Sequence, residues 1–248
     1  MGRIQTDALV LRSFEYSETS LIVWFFTRTN GRLHAIAKGA RRPTSEFEGA
    51  LEPFMRLDIG VFRKAGRDLD ILAEVELRDR YPGLRRSVDR MVHASYIVEL
   101  LSETVQLDAP DPELFETSCE TLAELSSGAL DRLAVVTLRF EVRLLHLAGF
   151  LPNLQGCTVC GGDVDAPQMI FHHRTGGVVC AEHGSGGVGV HLGTIQVLRR
   201  LVESERPERI VIVGAQLREL RRLLLDWWRF NLEKDLKTAR PLWQHLGP

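Results

Sequence analysis

The sequence predicts an α+β protein, in which a small N-terminal barrel of five strands precedes an all-helical domain with one insertion. Three observations lead to this prediction. Within roughly the first eighty residues, several segments have the composition and alternation of β-strands. From Tyr81-Pro82-Gly83 onward, apolar residues recur every three to four positions, as they do in helices. Between about 153 and 190, a segment that carries three of the four cysteines interrupts the helical pattern.

Five N-terminal segments are rich in β-branched, aromatic and leucine residues: 3–13, 19–28, 32–38, 51–63 and 69–77. Thr29-Asn30-Gly31 separates the second from the third, and Asn-Gly favours a hairpin because both residue types tolerate a positive φ. Because no helix intervenes, we expect these strands to form a closed or nearly closed barrel, which removes exposed sheet edges. A five-stranded oligonucleotide-binding (OB) barrel fits best, and an SH3-like barrel is the alternative.

Helices are expected at about 85–107, 111–127, 129–148, 193–203 and 215–236. Asp111 and Pro112 suit the N-cap and first position of the second helix, and Gly149 and Pro152 suit the end of the third. We therefore expect an OB-fold nucleic-acid-binding domain at 1–80 and a helical bundle domain at 81–248, with the insertion at 153–190.

The insertion contains Cys157, Cys160, Cys180 and His183, in the ligand spacing of a structural zinc site. The Cys-x-x-Cys-Gly turn can point two thiolates at one ion, and the second pair completes a tetrahedron. A redox pair and unliganded thiols are the alternatives, and His172 or His173 could replace His183 as the fourth ligand. Four candidate ligands favour a closed structural site with one Zn²⁺ per chain over a catalytic zinc, which keeps a position open for water. We therefore interpret the insertion as a zinc knuckle.

The formal net charge is only −2, which argues against a protein that coats nucleic acid over its whole surface. However, no acidic residue lies between Glu18 and Glu46, whereas five basic residues do. These candidate phosphate contacts are Arg28, Arg32, Lys38, Arg41 and Arg42, although a solvated loop would have the same composition.

No apolar run is long enough to span a bilayer, and the N-terminus lacks the pattern of a signal peptide. The cysteines form no disulfide framework, so we expect a cytoplasmic protein. No Ser–His or paired-carboxylate constellation can be assembled, so we expect no catalytic residues and no enzyme. Residues 184–189 match G-x-G-x-x-G, but they follow a metal ligand rather than a strand, and we interpret them as a flexible tether.

Several motifs, in the right order and over nearly the full length, resemble those of the bacterial RecO recombination-mediator family. They are DALVLRSFEYSETS at 7–20, FFTRTNG at 25–31, KGARR at 38–42 with Ser45, Gly49, Leu51, Pro53 and Phe54, YIVELL at 96–101, Leu114-Phe115, RFEVRLLHLAGFLP at 139–152, Gly176-Gly177 and LKTARPL at 236–242. Many relatives carry a cysteine where this chain has His183. A Cys₃His set still binds zinc, with more sensitivity to pH, because histidine must be neutral to act as a ligand.

The resemblance implies a cytoplasmic, nucleoid-associated bacterial protein that binds single- and double-stranded DNA and anneals complementary strands. It also implies partners: RecR, the acidic C-terminal tail of the single-strand-binding protein (SSB) and, indirectly, RecA. Two other functions remain open from the residues alone. They are an OB-fold module that acts on RNA or ribosomes, and a zinc-dependent nucleic-acid enzyme.

Overall fold

The computed structural model describes residues 2–47, 49–63, 69–164, 166–204 and 210–244. By its internal contacts the chain divides into two units, Met1–Leu133 with Arg240–Pro248, and Ala134–Ala239. The first unit thus contains helices in addition to the N-terminal strands. The domain boundary expected at residue 80 stays a prediction.

Five strands form the N-terminal sheet: β1 (Gly2–Glu15), β2 (Leu21–Thr27), β3 (Gly31–Ala37), β4 (Arg56–Arg63) and β5 (Asp70–Asp79). They pair in the order β1-β2-β3-β5-β4, and β4 pairs again with β1, so the ring of pairings closes. The parallel β3–β5 pairing is the shortest, with only Ala35 opposite Asp70 and Ile36 opposite Ile71. The predicted α+β fold with an OB-like five-stranded barrel is confirmed.

The barrel interior is filled by alternate residues of the strands, as the sequence pattern predicts. The buried cluster includes Ala8 and Val10 from β1, Val23 and Phe25 from β2, and the remaining strand residues Leu33, Ala35, Ala37, Leu57, Ile59, Val61 and Leu72. Phe47, Leu51 and Met55 from the β3–β4 connection complete the cluster.

The β2–β3 hairpin differs in detail from the expectation. Because Thr27 pairs with Gly31, the loop contains three residues. Only Gly31 has a positive φ, of 65°, whereas Asn30 does not. This geometry is that of a three-residue hairpin that ends in a left-handed glycine. A Cβ at Gly31 would lie 2.3 Å from the backbone oxygen of Ala109, so only glycine fits.

A β-bulge at Leu11 reverses the direction of the side chains in the second half of β1. Val10 pairs with Phe25, but Arg12 pairs with Trp24, so Leu11 is an extra residue in the ladder. The bulge leaves Val10 inside the barrel and turns Arg12 to the outer face.

Two helices of the first unit, α1 (Val88–Thr104) and α2 (Pro112–Ser127), follow the barrel. Asp111 caps α2 as predicted, because its carboxylate accepts a hydrogen bond of 2.9 Å from the amide of Leu114. Phe115 of α2 packs edge-on against Phe26 on the outer face of β2, with ring centroids 5.5 Å apart. This end of the outer face is therefore covered by helices.

The second unit combines helices with a small sheet. Its elements are α3 (Leu133–Leu147), β6 (Gln168–His172), β7 (Gly177–Val179), β8 (Val188–His191), α4 (Leu192–Glu203) and α5 (Gly214–Leu232); α6 (Ala239–Gln244) follows. The three strands are antiparallel in the order β7-β6-β8 and were not predicted. Because β8 begins at Val188, the tether interpretation of 184–189 is wrong for the last residues of that motif. In the described part of the chain, no helix is long and apolar enough to cross a membrane.

Candidate functional site

Cys157, Cys160, Cys180 and His183 lie together in the second unit, with one ligand atom from each within 4.8 Å of all the others. The Sγ atoms of Cys160 and Cys180 are 3.9 Å apart, and Nδ1 of His183 lies 3.7 Å from Sγ of Cys157. Tetrahedral zinc with Zn–S bonds of about 2.3 Å separates two sulfurs by about 3.8 Å. The four donor atoms could therefore hold one metal ion.

Short local structures position the two ligand pairs. The first pair lies in a turn where the amide of Gly161, at a φ of 72°, donates to the carbonyl of Cys157. The second pair directly follows β7, and the amide of His183 donates to the carbonyl of Cys180. The backbone amide of Thr158 donates to the carbonyl of Val178 in β7 and ties the first turn to this strand. The small sheet thus brings two pairs that are distant in sequence to one point.

The thiol of Cys157 is already biased toward its ligating form. Burial raises its pKa, but backbone amides of Cys160, Cys180 and Val159 donate to the sulfur and bring the pKa to about 6. A deprotonated sulfur is the form that binds metal. Only 3% of Cys157 is exposed, whereas Cys160 is exposed and Cys180 and His183 are half-buried.

Neither His172 nor His173 belongs to this group of donor atoms among the described residues. The ring of His173 instead packs between aromatic side chains, with centroids 5.3 Å from Phe171 and 6.0 Å from Trp227. Burial lowers its pKa, so the ring is neutral at pH 7. The geometry therefore favours His183 as the fourth donor.

The five basic residues of the N-terminal window all lie in the first unit, but they differ in their environments. Arg28 pairs with Glu116 of α2 at 3.1 Å. Arg32 is half-buried and donates a hydrogen bond of 2.7 Å to the backbone oxygen of Ser102 in α1. These two arginines have partners on the helices and therefore link the hairpin to them.

Arg41 connects the 16–20 loop, which joins β1 to β2, with the 38–42 loop, which follows β3. Its guanidinium donates to the carbonyl of Ser17 at 3.0 Å and lies 3.0 Å from the carboxylate of Glu15, and its backbone amide donates to Thr19. It therefore holds the 16–20 loop against the 38–42 loop. The pairing with Glu15 also neutralises part of its charge.

Lys38 and Arg42 are exposed, and their side chains have no ion-pair partner among the residues that the structure describes. The backbone amide of Arg42 donates to the carbonyl of Gly39 at 3.0 Å. These two side chains are consequently the most available cations of the predicted set.

Sequence reasoning missed Arg56, whose guanidinium makes a two-pronged ion pair with Asp7. This hydrogen bonding outweighs burial and raises the pKa of Arg56. A cavity of about 670 Å³ opens beside the pair, with three arginines and three aspartates in its lining: Arg28, Arg56, Arg78, Asp7, Asp58 and Asp79. Because these charges balance, the cavity has no net attraction for an anion. The charge pattern of the sequence gave no signal for it, because the partners are far apart in the chain.

Comparison with known proteins covers nearly the whole chain. Residues 1–81 match the family described as recombination protein O N terminal, and residues 85–240 match recombination protein O C terminal. The DNA repair protein RecO of Syntrophus aciditrophicus is 32% identical over 96% of this chain and 94% of its own length. The DNA repair protein RecO of Anaeromyxobacter sp. strain K is 34% identical over 100% of this chain and 98% of its own length. With both halves matched in this order, the chain belongs to the RecO family.

Proposed function

We propose that this chain is a non-enzymatic mediator of DNA repair and homologous recombination, which binds single- and double-stranded DNA and anneals complementary strands. Membership of the RecO family supports the role in repair and recombination. The observation that carries the DNA-binding part is the exposed cationic loop at 38–42 on an OB-like barrel. OB barrels bind oligonucleotides with exposed strand faces and loops.

Annealing needs no covalent chemistry. The protein must hold one strand without masking its base edges, and it must reduce the repulsion between two phosphate backbones. Lys38 and Arg42 act on the second requirement because each can neutralise a phosphate and release a counterion. Arg41 contributes mainly by holding the loop in place, and Arg28 and Arg32 by joining the barrel hairpin to the helices.

The partners proposed for the chain are RecR, the acidic C-terminal tail of SSB and, indirectly, RecA, which the protein helps to load onto SSB-coated DNA. The OB domain at 1–80 is the DNA-binding part, and the helical domain at 81–248 is the part that contacts the SSB tail. The cluster of Cys157, Cys160, Cys180 and His183 holds one Zn²⁺ as a structural ion. We place the protein in the bacterial cytoplasm, associated with the nucleoid.

The direct test is a strand-annealing assay on DNA coated with the cognate SSB, with and without RecR. The proposal expects annealing of SSB-coated strands, and it is overturned if the protein accelerates annealing in neither condition. Binding to single-stranded RNA of equal length, measured in parallel, separates a DNA mediator from an RNA module. Turnover of labelled DNA that stops with a chelator would point instead to a zinc-dependent enzyme.

The cationic loop is tested by replacing Lys38 and Arg42 together with alanine. Each lost phosphate contact should lower the slope of log affinity against log salt by about 0.7 for single strands. The matched control removes two exposed arginines outside the loop, Arg80 and Arg86. An equal loss of slope in both double variants would show that the loop is not the binding site.

A further inference from the structure

The outer face of β1, β2 and β3 is covered by helices at one end and exposed at the other. At the covered end, Phe26 contacts Phe115 of α2. At the other end, Phe14 pairs with Ile22, and Ile22 pairs with Ile36, so these three side chains form a row across the strands. Phe14 is 41% exposed, and the two isoleucines are half-buried. The row is an apolar surface on the outside of the barrel.

The bulge at Leu11 is the reason that Phe14 lies on this face. Without the extra residue, the alternation that places Val10 inside the barrel would also place Arg12 and Phe14 inside. Glu15 ends β1, and Tyr16 follows as the first residue of the connecting loop, with 59% of its surface exposed. Two exposed aromatic rings thus lie two positions apart at the end of one strand.

The ring of Trp24 supports Phe14 but is itself largely occupied. His34 stacks on Trp24 with ring centroids 4.4 Å apart, and the guanidinium carbons of Arg12 and Arg32 each lie 5.5 Å from its centre. Burial, and then the charge of Arg32, lower the pKa of His34, so the stacked ring is neutral at pH 7. Phe14 meets the same Trp24 ring edge-on at 5.3 Å. Phe14 and Tyr16, rather than Trp24, are therefore the exposed aromatic residues at this end of the barrel.

The cationic loop is next to these two rings. Arg41 ties the 38–42 loop to Ser17 and Thr19, which lie in the loop that Tyr16 begins. Lys38 directly follows β3, and Tyr16 directly follows β1, with β2 between these two strands. Arg42 is exposed in the same loop as Lys38. Exposed aromatic rings beside available cations are the arrangement that binds single-stranded nucleic acid, because bases stack and phosphates pair with the cations.

We propose that Phe14 and Tyr16 form a stacking platform for unpaired bases of a single DNA strand, whose phosphates lie along Lys38 and Arg42. This inference rests on the proposed DNA-binding function and specifies how the barrel distinguishes single strands from duplexes. Paired bases in a duplex are already stacked on one another and present no face to the rings. The same contact leaves the base edges open, as annealing requires.

The test compares Phe14→Ala and Tyr16→Ala with the unaltered protein, by fluorescence anisotropy with three probes. The probes are a labelled single strand, an abasic strand of equal length and a duplex. Alanine substitution at a stacking aromatic removes about 5- to 150-fold in affinity per base. We expect a loss in this range for the base-bearing strand, little change for the abasic strand and the duplex, and an unchanged salt slope. Tyr16→Phe should retain the affinity, because it keeps the ring.

Phe62→Ala is the matched control, because Phe62 is an aromatic residue of β4 with a similar exposure of 38%. Thermal unfolding of every variant verifies that the barrel is intact. Unchanged affinity of both alanine variants for the base-bearing strand, while the unaltered protein binds it, would overturn the platform alone. If the alanine variants keep their DNA affinity but self-associate less than the unaltered protein, the two rings contact a second copy of the chain, and the platform is overturned as well. If the unaltered protein binds none of the probes at low salt, both the platform and the DNA-binding function fail.

Discussion

The guanidinium of Arg32 donates a hydrogen bond of 2.7 Å to the backbone oxygen of Ser102, and its carbon lies 5.5 Å from the centre of the Trp24 ring. A residue that the charge pattern marks as a phosphate contact therefore belongs to the joint between β3 and α1. Arg28 has a similar role through its ion pair with Glu116. The basic window divides into arginines that hold the first unit together and cations that remain available.

Replacing Arg32 with alanine should lower the free energy of unfolding by about 1–3 kcal/mol, because it leaves the oxygen of Ser102 without its donor. Urea titration measures this change. Arg42→Ala should leave stability within about 0.5 kcal/mol of the parent, as for an exposed surface substitution. The division of roles is wrong if the Arg42 variant is the less stable of the two.

Arg41→Lys separates the charge of this residue from its hydrogen bonds. Lysine keeps the positive charge but lacks the planar fork that reaches both Ser17 and Glu15. We expect the salt slope of DNA binding to stay near that of the parent, while backbone amides of the 16–20 loop exchange faster with solvent. Hydrogen exchange measures the second effect, with Arg41→Ala as the variant that should change both. Full protection of the loop in the lysine variant would contradict the tethering role.

Purified protein should contain about one zinc ion per chain, and a strong chelator should remove it and lower the midpoint of thermal unfolding. The reason is that the two ligand pairs lie in separate short turns, which a bound metal would tie to each other. Elemental analysis should find little metal in Cys160→Ala or His183→Ala. Cys119→Ala is the control, because Cys119 lies in the first unit and outside the ligand group. Undiminished zinc in both ligand variants would refute the site.

Cys119 should react with thiol reagents only after unfolding. Burial raises its pKa to about 12, and only 2% of the residue is exposed, so almost no accessible thiolate exists at pH 8. In the folded, metal-free protein, Cys119 should therefore react much more slowly than the exposed Cys160, and denaturant should make it reactive. Reaction of Cys119 in the folded state as fast as that of Cys160 would disprove this burial.

Gly31→Ala should destabilise the protein more than Gly49→Ala. Both glycines have a similar φ, 65° and 66°, so the backbone strain on substitution is comparable at about 1–2 kcal/mol. Only at Gly31 would the new Cβ meet backbone, 2.3 Å from the oxygen of Ala109, whereas Gly49 has open space. Chemical denaturation gives the free energy of unfolding of each variant, and the difference between the two variants is the cost of the steric contact with Ala109. Equal destabilisation would mean that the contact with Ala109 adjusts without cost.

The sequence by itself determined the features whose physical cause is local. Strand and helix periods separate the barrel from the helices, Asp111-Pro112 begins α2, and the Cys-x-x-Cys-Gly turn marks candidate metal ligands, because each signal lies within a few residues. Residues 38–42 were located as a basic loop for the same reason.

Only the tertiary structure decided which cations are available and which rings are exposed. The partner of Arg32 is 70 residues away, and that of Arg28 lies on α2, so charge density along the chain could not reveal either. The bulge at Leu11 depends on how β1 pairs with β2, and it alone turns Phe14 outward. The small sheet of the second unit also escaped prediction, because its short strands are held by pairing with one another rather than by any pattern within each.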